Sequence, residues 1–311
     1  MTKLLLRLAG GFALLAAVVW FVGPERITGA LRRVEPAVFA AALALAVASN
    51  VTSAARWAAI ARALGLRAPT APLVPMYFRG MTSNTLLPGA TVSGDLLRSA
   101  ELSRLGNPLL ESAASVAFDR LSGLWTLCVL SFVAAGAAAA AGVTLSGAQG
   151  DRAVLAGYGA ALGFIVVAPF LPWPTAWLRR LPLAAAAKLS DLADRVRDPA
   201  TGLRRRLAAT LGLSLLVQLL SAGALAACAV SLGLGVAPLV MFVAAVLIFV
   251  MAALPLGVAG FGTRELAAVA VLGAAGVPPD LAAGTGLLYG LCSVIQSATA
   301  APLFLLPSKR P

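Results

Sequence analysis

The sequence predicts an all-α polytopic membrane protein with about six full transmembrane helices and two broken, re-entrant helical segments, or about eight spans if the broken segments cross. Three observations predict it. Of the 311 residues, 60% are hydrophobic and only 12% charged, and long uncharged runs recur along the whole length, which a soluble domain does not carry. Two apolar regions are interrupted in the same way by Pro and Gly and then by charge: Leu86-Leu87-Pro88-Gly89-Ala90-Thr91-Val92-Ser93-Gly94-Asp95-Leu96-Leu97-Arg98 and Leu254-Pro255-Leu256-Gly257-Val258-Ala259-Gly260-Phe261-Gly262-Thr263-Arg264-Glu265-Leu266. The basic residues chiefly flank the apolar runs.

Taken in order, Lys3 and Arg7 accompany an apolar run from Leu4 to Val22. It ends in Trp20-Phe21-Val22-Gly23-Pro24 without a small-residue cleavage pattern, so it reads as a retained first span and not a signal peptide. Pro36 to Ala55 is the second span, and Thr70 to Val92 the first broken segment. Ser93 to Leu105 sets Leu96, Leu97, Leu102 and Leu105 against Asp95, Arg98, Glu101 and Arg104 and ends at Gly106, a helix C-terminal signal, so it reads as an amphipathic helix in the cytoplasmic interface. Leu121 to Ala141 and Ala153 to Leu171 are spans, followed by a second amphipathic piece from Ala184 to Arg197. Leu207 to Ser231 and Leu281 to Leu306 are the last two spans, with the second broken segment, Val236 to Gly276, between them. Broken helices are tolerated at membrane depth only where protein or a wet cavity satisfies the freed backbone.

Orientation follows from Lys and Arg. Arg179, Arg180, Lys188, Arg195, Arg197, Arg204, Arg205 and Arg206 make that stretch cytoplasmic by the positive-inside rule. Both termini then fall on the cytoplasmic side, although Arg26, Arg32 and Arg33 in the first outer loop outnumber Lys3 and Arg7. With this topology the chain, one domain over residues 1–311, divides into pseudo-repeats 1–150 and 151–311 of opposite orientation, an inverted four-plus-four arrangement found in many secondary transporters. Paired breaks at corresponding places in two such halves point to a transport site.

Several classes of function are excluded. The formal charge of +12 is not a nucleic-acid footprint, because the basic residues form no exposed stripe interleaved with aromatics. The absence of histidine removes Ser-His, Cys-His and His-metal chemistry. Cys128, Cys228 and Cys292 lie in apolar runs and suggest neither a disulfide framework nor a metal site. The Gly257, Gly260 and Gly262 spacing lacks the strand and pattern of a nucleotide loop, so no cofactor is expected. Gly159-x-x-x-Gly163 and Gly286-x-x-x-Gly290 read as helix packing.

Charges near membrane depth are the informative ones, since each costs about 2.5 to 3.5 kcal/mol on insertion scales. Arg79 lies in the first broken segment beside the polar run to Asn84. The helix opening after Pro108 carries Glu111, Ser115, Asp119 and Ser122 on one face, with Asp119 expected either to pair with Arg79 or Arg98 or to face a headgroup. Arg120, about 100° round that helix, should reach another partner. Helices opening at Ser93-Gly94 and Gly262-Thr263 would offer unpaired N–H groups to an anion. With Arg98 and Arg264 beside them, these make two places suited to a phosphate.

These residues together carry a resemblance. Arg56-Trp57, Leu64-Gly65, Asn84 through Leu87-Pro88-Gly89, Gly94-Asp95 with Arg98, Ser115 with Asp119-Arg120-Leu121-Ser122-Gly123-Leu124, Pro255, Gly260-Phe261-Gly262 and Arg264-Glu265 resemble, in order and spacing, the lysylphosphatidylglycerol synthase transmembrane region, or flippase-like, family. The resemblance covers nearly the whole chain. It implies handling or translocation of a phospholipid or polyprenyl-phosphate lipid in a bacterial inner membrane. Because the sequence stops at Pro311 without the soluble lysyl-transferase domain of bifunctional members, it gives no support for aminoacyl transfer. The expected headgroup contacts are phosphate to Arg79, Arg98 and Arg264, hydrogen bonds from Asn84 and Ser93, and Asp95, Asp119 and Glu265 pairing with the arginines when lipid is absent. Glu111 and Arg120 complete the candidate set. Two rivals stand beside this reading: an embedded lipid-modifying transferase using Asp95, Glu101 and Glu111 with a divalent metal, and a scaffold for a separate lipid-synthesis enzyme.

Overall fold

The computed structural model describes residues 20, 24–86, 91–140, 159–161, 163–165, 190–191, 194–196, 198–253 and 260–305, and these are all-α. Its helices are α1 Pro24–Leu31, α2 Pro36–Ala63, α3 Thr70–Leu86, α4 Thr91–Ser103, α5 Leu109–Ala140, α6 Leu203–Ala208, α7 Leu211–Ser231, α8 Pro238–Ala253, α9 Thr263–Ala274 and α10 Pro279–Ala300. The expected spans Leu4 to Val22 and Ala153 to Leu171, and the amphipathic piece Ala184 to Arg197, lie outside the described residues except for a few positions.

Among the described residues four stretches are long and apolar enough to cross a membrane: Pro36–Ala63, Leu109–Ala137, Leu203–Ser231 and Pro279–Leu305. At about 1.5 Å per residue each exceeds the ~30 Å hydrocarbon core. Their outward faces are apolar: Leu121 and Val133 remain about 60% exposed and Leu215, Leu216 and Leu219 are also open, as a lipid-facing surface requires. Helix α5 begins 12 residues before the apolar run at Leu121, and α2 continues past Ala55. Arg56 and Asp119 in these extensions are buried and pair with each other at 2.9 Å, so hydropathy alone places the ends too late or too early.

Helices α3 and α4 pack on each other, and so do α8 and α9. None of the four reaches the length of a span by itself: 17, 13, 16 and 12 residues. Helices α2 and α7 form the most extensive contact in the bundle, through the small residues Ala42, Ala46, Ala224 and Cys228 that let the backbones approach. At their crossing the Ser49 and Ser221 hydroxyls meet at 2.7 Å.

The packing has an internal order. Helix α5 rests on α8, and α10 on α3; α4 rests on α5, and α9 on α10; α2 touches α3, α5 and α10, and α7 touches α8, α10 and α5. Exchanging α2, α3, α4 and α5 for α7, α8, α9 and α10 therefore turns this set of contacts into itself. Each broken pair also has its own apolar cluster, built on Trp57, Ile60, Leu73 and Leu102 for α3 and α4, and on Leu225, Met241, Ile248 and Leu272 for α8 and α9.

Helix α4 corrects the expected interfacial helix. Arg98 and Glu101 are buried with Leu102, whereas Leu96 is 65% exposed. Arg98 and Glu101 are turned into the protein, where Asp119 and Arg79 neutralise them, while Arg104 stays exposed. Gly106, at φ 89°, closes the segment in the left-handed region that glycine enters without a Cβ penalty.

Candidate functional site

The first broken pair is fixed where α3 crosses α4. A Cβ at Gly80 would lie 2.6 Å from Arg98 Cγ and 3.0 Å from the Gly94 carbonyl oxygen, and one at Gly94 would drive into the Gly80 carbonyl oxygen. Only glycine allows this approach. The Gly94 N–H donates to Asn84 Oδ1 at 2.7 Å, and Ser93 Oγ donates to the Ser83 carbonyl at 3.3 Å. Helix α4 starts at Thr91, so Ser93 and Gly94 are inside it and do not open it. Their polar groups hold the crossing together, and the expected anion-binding helix start is absent at that position.

Arg98 projects from this crossing between the rings of Trp57 and Tyr77, 4.3 and 4.5 Å from their centroids. Its Nη2 lies 2.7 Å from Asp119 Oδ2, while Arg56 Nε lies 2.9 Å from Asp119 Oδ1. Asp119 thus bridges two buried arginines from α2 and α4. Trp57 Nε1 donates to Ser115 Oγ at 3.1 Å, which orients the indole under Arg98. Gly123 gives Arg56 room, since a Cβ there would be 3.0 Å from its Nη1. One turn back, Asp95 receives Arg120 through both Nε and Nη2, at 2.8 to 3.2 Å, and stands 3.8 Å from Arg98 Nη1. Three guanidinium groups thus share two carboxylates, an excess of one positive charge.

The second broken pair is built differently. Gly260 and Gly262 take φ 77° and 86°. The Gly262 N–H donates to Glu265 Oε2, so the helix N-terminus at Thr263 is answered by the chain's own carboxylate. The next side chain, Arg264, is buried and lies near the rings of Phe261 and Tyr289, 5.4 and 5.7 Å from their centroids. Gly286 and Gly290 make this possible: a Cβ at Gly286 would be 3.2 Å from Glu265 Cα, and one at Gly290 would strike Arg264 Nη1 and the Phe261 ring. The Gly286-x-x-x-Gly290 spacing therefore makes room for a cation as well as for helix contact. At Gly159 a Cβ would meet nothing within 4 Å, so that glycine mediates no such approach among the described residues.

Both helix pairs open onto one cavity of about 260 Å³. Arg98, Arg120 and Arg264 line it, with the amides of Asn50, Asn84 and Gln296, the hydroxyls of Ser49, Ser221 and Ser293, and the rings of Tyr77 and Tyr289. Asn50 Nδ2 donates to Gln296 Oε1 at 2.8 Å across it. Among the described residues, no Asp or Glu lines it.

The other candidates lie behind or away from this wall. Arg79 sits 2.9 Å from Glu101 Oε1 and donates to the Leu303 carbonyl at 3.4 Å, tying α3 and α4 to the 3-10 turn Ala301–Leu305 that follows α10. Asp95 and Asp119 brace the arginines from behind. Glu265 accepts the Gly262 N–H, and Glu111 lies half-buried in the first turn of α5. Sequence reasoning missed Asn50, Tyr77, Tyr289 and Gln296. Single polar residues in apolar helices carry the signal, which becomes specific only once the helices are brought together.

Among the described residues, then, this is a multi-pass helical membrane protein in which two broken helix pairs close around a cationic, polar cavity. The model of the lysylphosphatidylglycerol synthase TM region matches residues 6–300, and the chain belongs to that family. It is also 32% identical over 111 residues to a UPF0104 membrane protein of Methanothermobacter thermautotrophicus, a match covering 35% of this chain and 33% of that protein. The matched stretch thus spans about a third of that relative.

Proposed function

We propose that this protein moves the polar headgroup of a phospholipid or polyprenyl-linked lipid across a bacterial inner membrane, with both chain termini on the cytoplasmic side. One observation carries the reading: arginines from both broken helix pairs, Arg98 and Arg264, line the same cavity together with Arg120. A phosphate entering it meets guanidinium groups suited to charge-assisted, bidentate hydrogen bonds. The acyl chains stay in the bilayer while the headgroup passes through the protein. Arg120, whose side chain is 43% exposed, exchanges Asp95 for the phosphate. Arg98 is held in place by Asp119 and its flanking rings.

The self-matching helix contacts support an inverted-repeat transporter, in which one half rocks against the other about the α2 and α7 crossing. The metal-dependent transferase finds less support: Arg120 engages Asp95 and Arg79 engages Glu101, and no three metal-ligating side chains come together among the described residues. The reading is tested in proteoliposomes with fluorescent phospholipids, by the fraction that dithionite can bleach. Faster bleaching of inner-leaflet probe with protein is expected, and unchanged leaflet protection across several headgroups would overturn the reading.

A further inference from the structure

We infer that the chain holds a small inorganic anion, a halide of the size of chloride, in a second site away from the cavity, where α2, α5 and α7 meet at Gly123. The site does not depend on the transport reading. Two buried groups with no hydrogen-bond partner among the described residues point to it, Arg56 Nη1 and Ser214 Oγ. Arg56 is 5% exposed and Ser214 0%. A buried donor left unpaired is costly, most of all on a charged group. Arg56 is also absent from the residues that line the cavity, so a headgroup there does not satisfy it.

Gly123 of α5 ties the three helices together. A Cβ there would lie 3.0 Å from Arg56 Nη1, and its carbonyl accepts Gln218 Nε2 at 2.8 Å. Ser214 stands one turn before Gln218 on the same face of α7. Helices α2 and α7 run antiparallel, with Ser49 Oγ donating to the Val217 carbonyl at 3.2 Å. One turn onward on α2 and one turn back on α7 therefore set Ser53, also buried, at the level of Ser214. What the junction offers is hydrogen to donate: the Arg56 guanidinium, the Ser214 hydroxyl and the second N–H of the Gln218 amide. Charge agrees with this. Arg56, Arg98 and Arg120 share Asp119 and Asp95, which leaves one positive charge over inside the bundle. A water molecule leaves that charge standing, whereas an anion neutralises it, and the attraction is strong where bulk water is excluded. Residues this buried leave no opening for a phosphate ester tied to a lipid, so the occupant is monoatomic.

The test melts the full chain in detergent in sodium chloride, sodium bromide or sodium gluconate at constant ionic strength. Chloride and bromide are expected to raise the melting temperature along a saturating curve that gluconate, too large for the site, does not give. Ser214→Ala removes one donor and should raise the half-saturating chloride concentration about tenfold, the loss of one hydrogen bond to an ion. Ser214→Asp brings a carboxylate of the chain's own to Arg56 and should make the melting temperature independent of chloride. Crystals soaked in bromide should show an anomalous peak beside Arg56 Nη1 and Ser214 Oγ. Equal melting temperatures in the three salts, or a water without anomalous signal at that place, overturn the inference. The arginines that line the cavity also attract halide, so Arg120→Gln is the control. A chloride response that Arg120→Gln abolishes and Ser214→Ala leaves intact puts the ion in the cavity and overturns the site at Gly123.

Discussion

Replacing Asp119 with asparagine removes a negative charge from between two buried guanidinium groups while keeping the side-chain shape. Asp119 is 2% exposed and receives Arg56 at 2.9 Å and Arg98 at 2.7 Å. Breaking a buried ion pair from one side costs about 3–5 kcal/mol, because the remaining charge stays dehydrated. Arg98 retains two aromatic faces and Asp95 at 3.8 Å, so the larger share of the loss falls on Arg56.

At about 2–4 °C per kcal/mol, Asp119→Asn should lower the melting temperature by roughly 6–20 °C. Tryptophan fluorescence in detergent reads it directly, since Trp57 lies against Arg98. Arg56→Gln combined with Asp119→Asn should lose less than the sum of the single changes, with a coupling of about 0.5–3 kcal/mol. Strict additivity, or an Asp119→Asn melting point within about 1 °C of the parent, would refute the assignment of Asp119 as the bridge between α2 and α4.

Gly94→Ala should prevent α3 and α4 from closing, because its methyl meets the Gly80 carbonyl; a cost of about 1–3 kcal/mol or more, read as lost monodisperse protein in size-exclusion chromatography, is expected. Asn84→Ala leaves the Gly94 N–H without its acceptor and should cost about 1–3 kcal/mol, whereas Asn84→Asp, which keeps an oxygen there, should recover most of the thermal stability. Gly290→Ala displaces Arg264 from the cavity and should slow probe bleaching at least tenfold in protein that still folds; retained transport would remove Arg264 from the pathway. Arg120→Gln, at a 43% exposed side chain, should weaken transport with a melting point close to the parent's, making it a cleaner functional test than Arg98, which also holds the bundle together.

The stripe on α5 shows what spacing can tell. Ser115 and Asp119 share a buried face because four residues make about one turn, and Arg120, one residue on, reaches a different carboxylate. The expected pairing of Asp119 with Arg98 is present, and Arg56 is its second partner, 63 residues away in sequence. Nothing local to Arg56 marks that contact. The Pro and Gly runs stand out equally in the sequence, whose pattern offers the N–H groups that follow them to a ligand. Asn84 and Glu265 use them instead, because a side-chain oxygen already held beside a helix start or crossing answers the N–H without a partner having to bind.

Composition and hydropathy by themselves determined that this chain lives in a membrane, where most of its helices run, and that two of its apolar segments are broken, because solvation by lipid constrains every residue along the chain. They also singled out the arginines that cost most to bury. Only the tertiary structure decided that Arg98 and Arg264, one from each broken pair, line the same cavity, that Arg79 is drawn aside by Glu101, and that α4 turns Arg98 and Glu101 inward. Those outcomes depend on which helices pack together and on the glycines that allow backbones and guanidinium groups to approach. A buried charge settles wherever a partner lies within about 3 Å, and that partner is set by packing rather than by sequence neighbours.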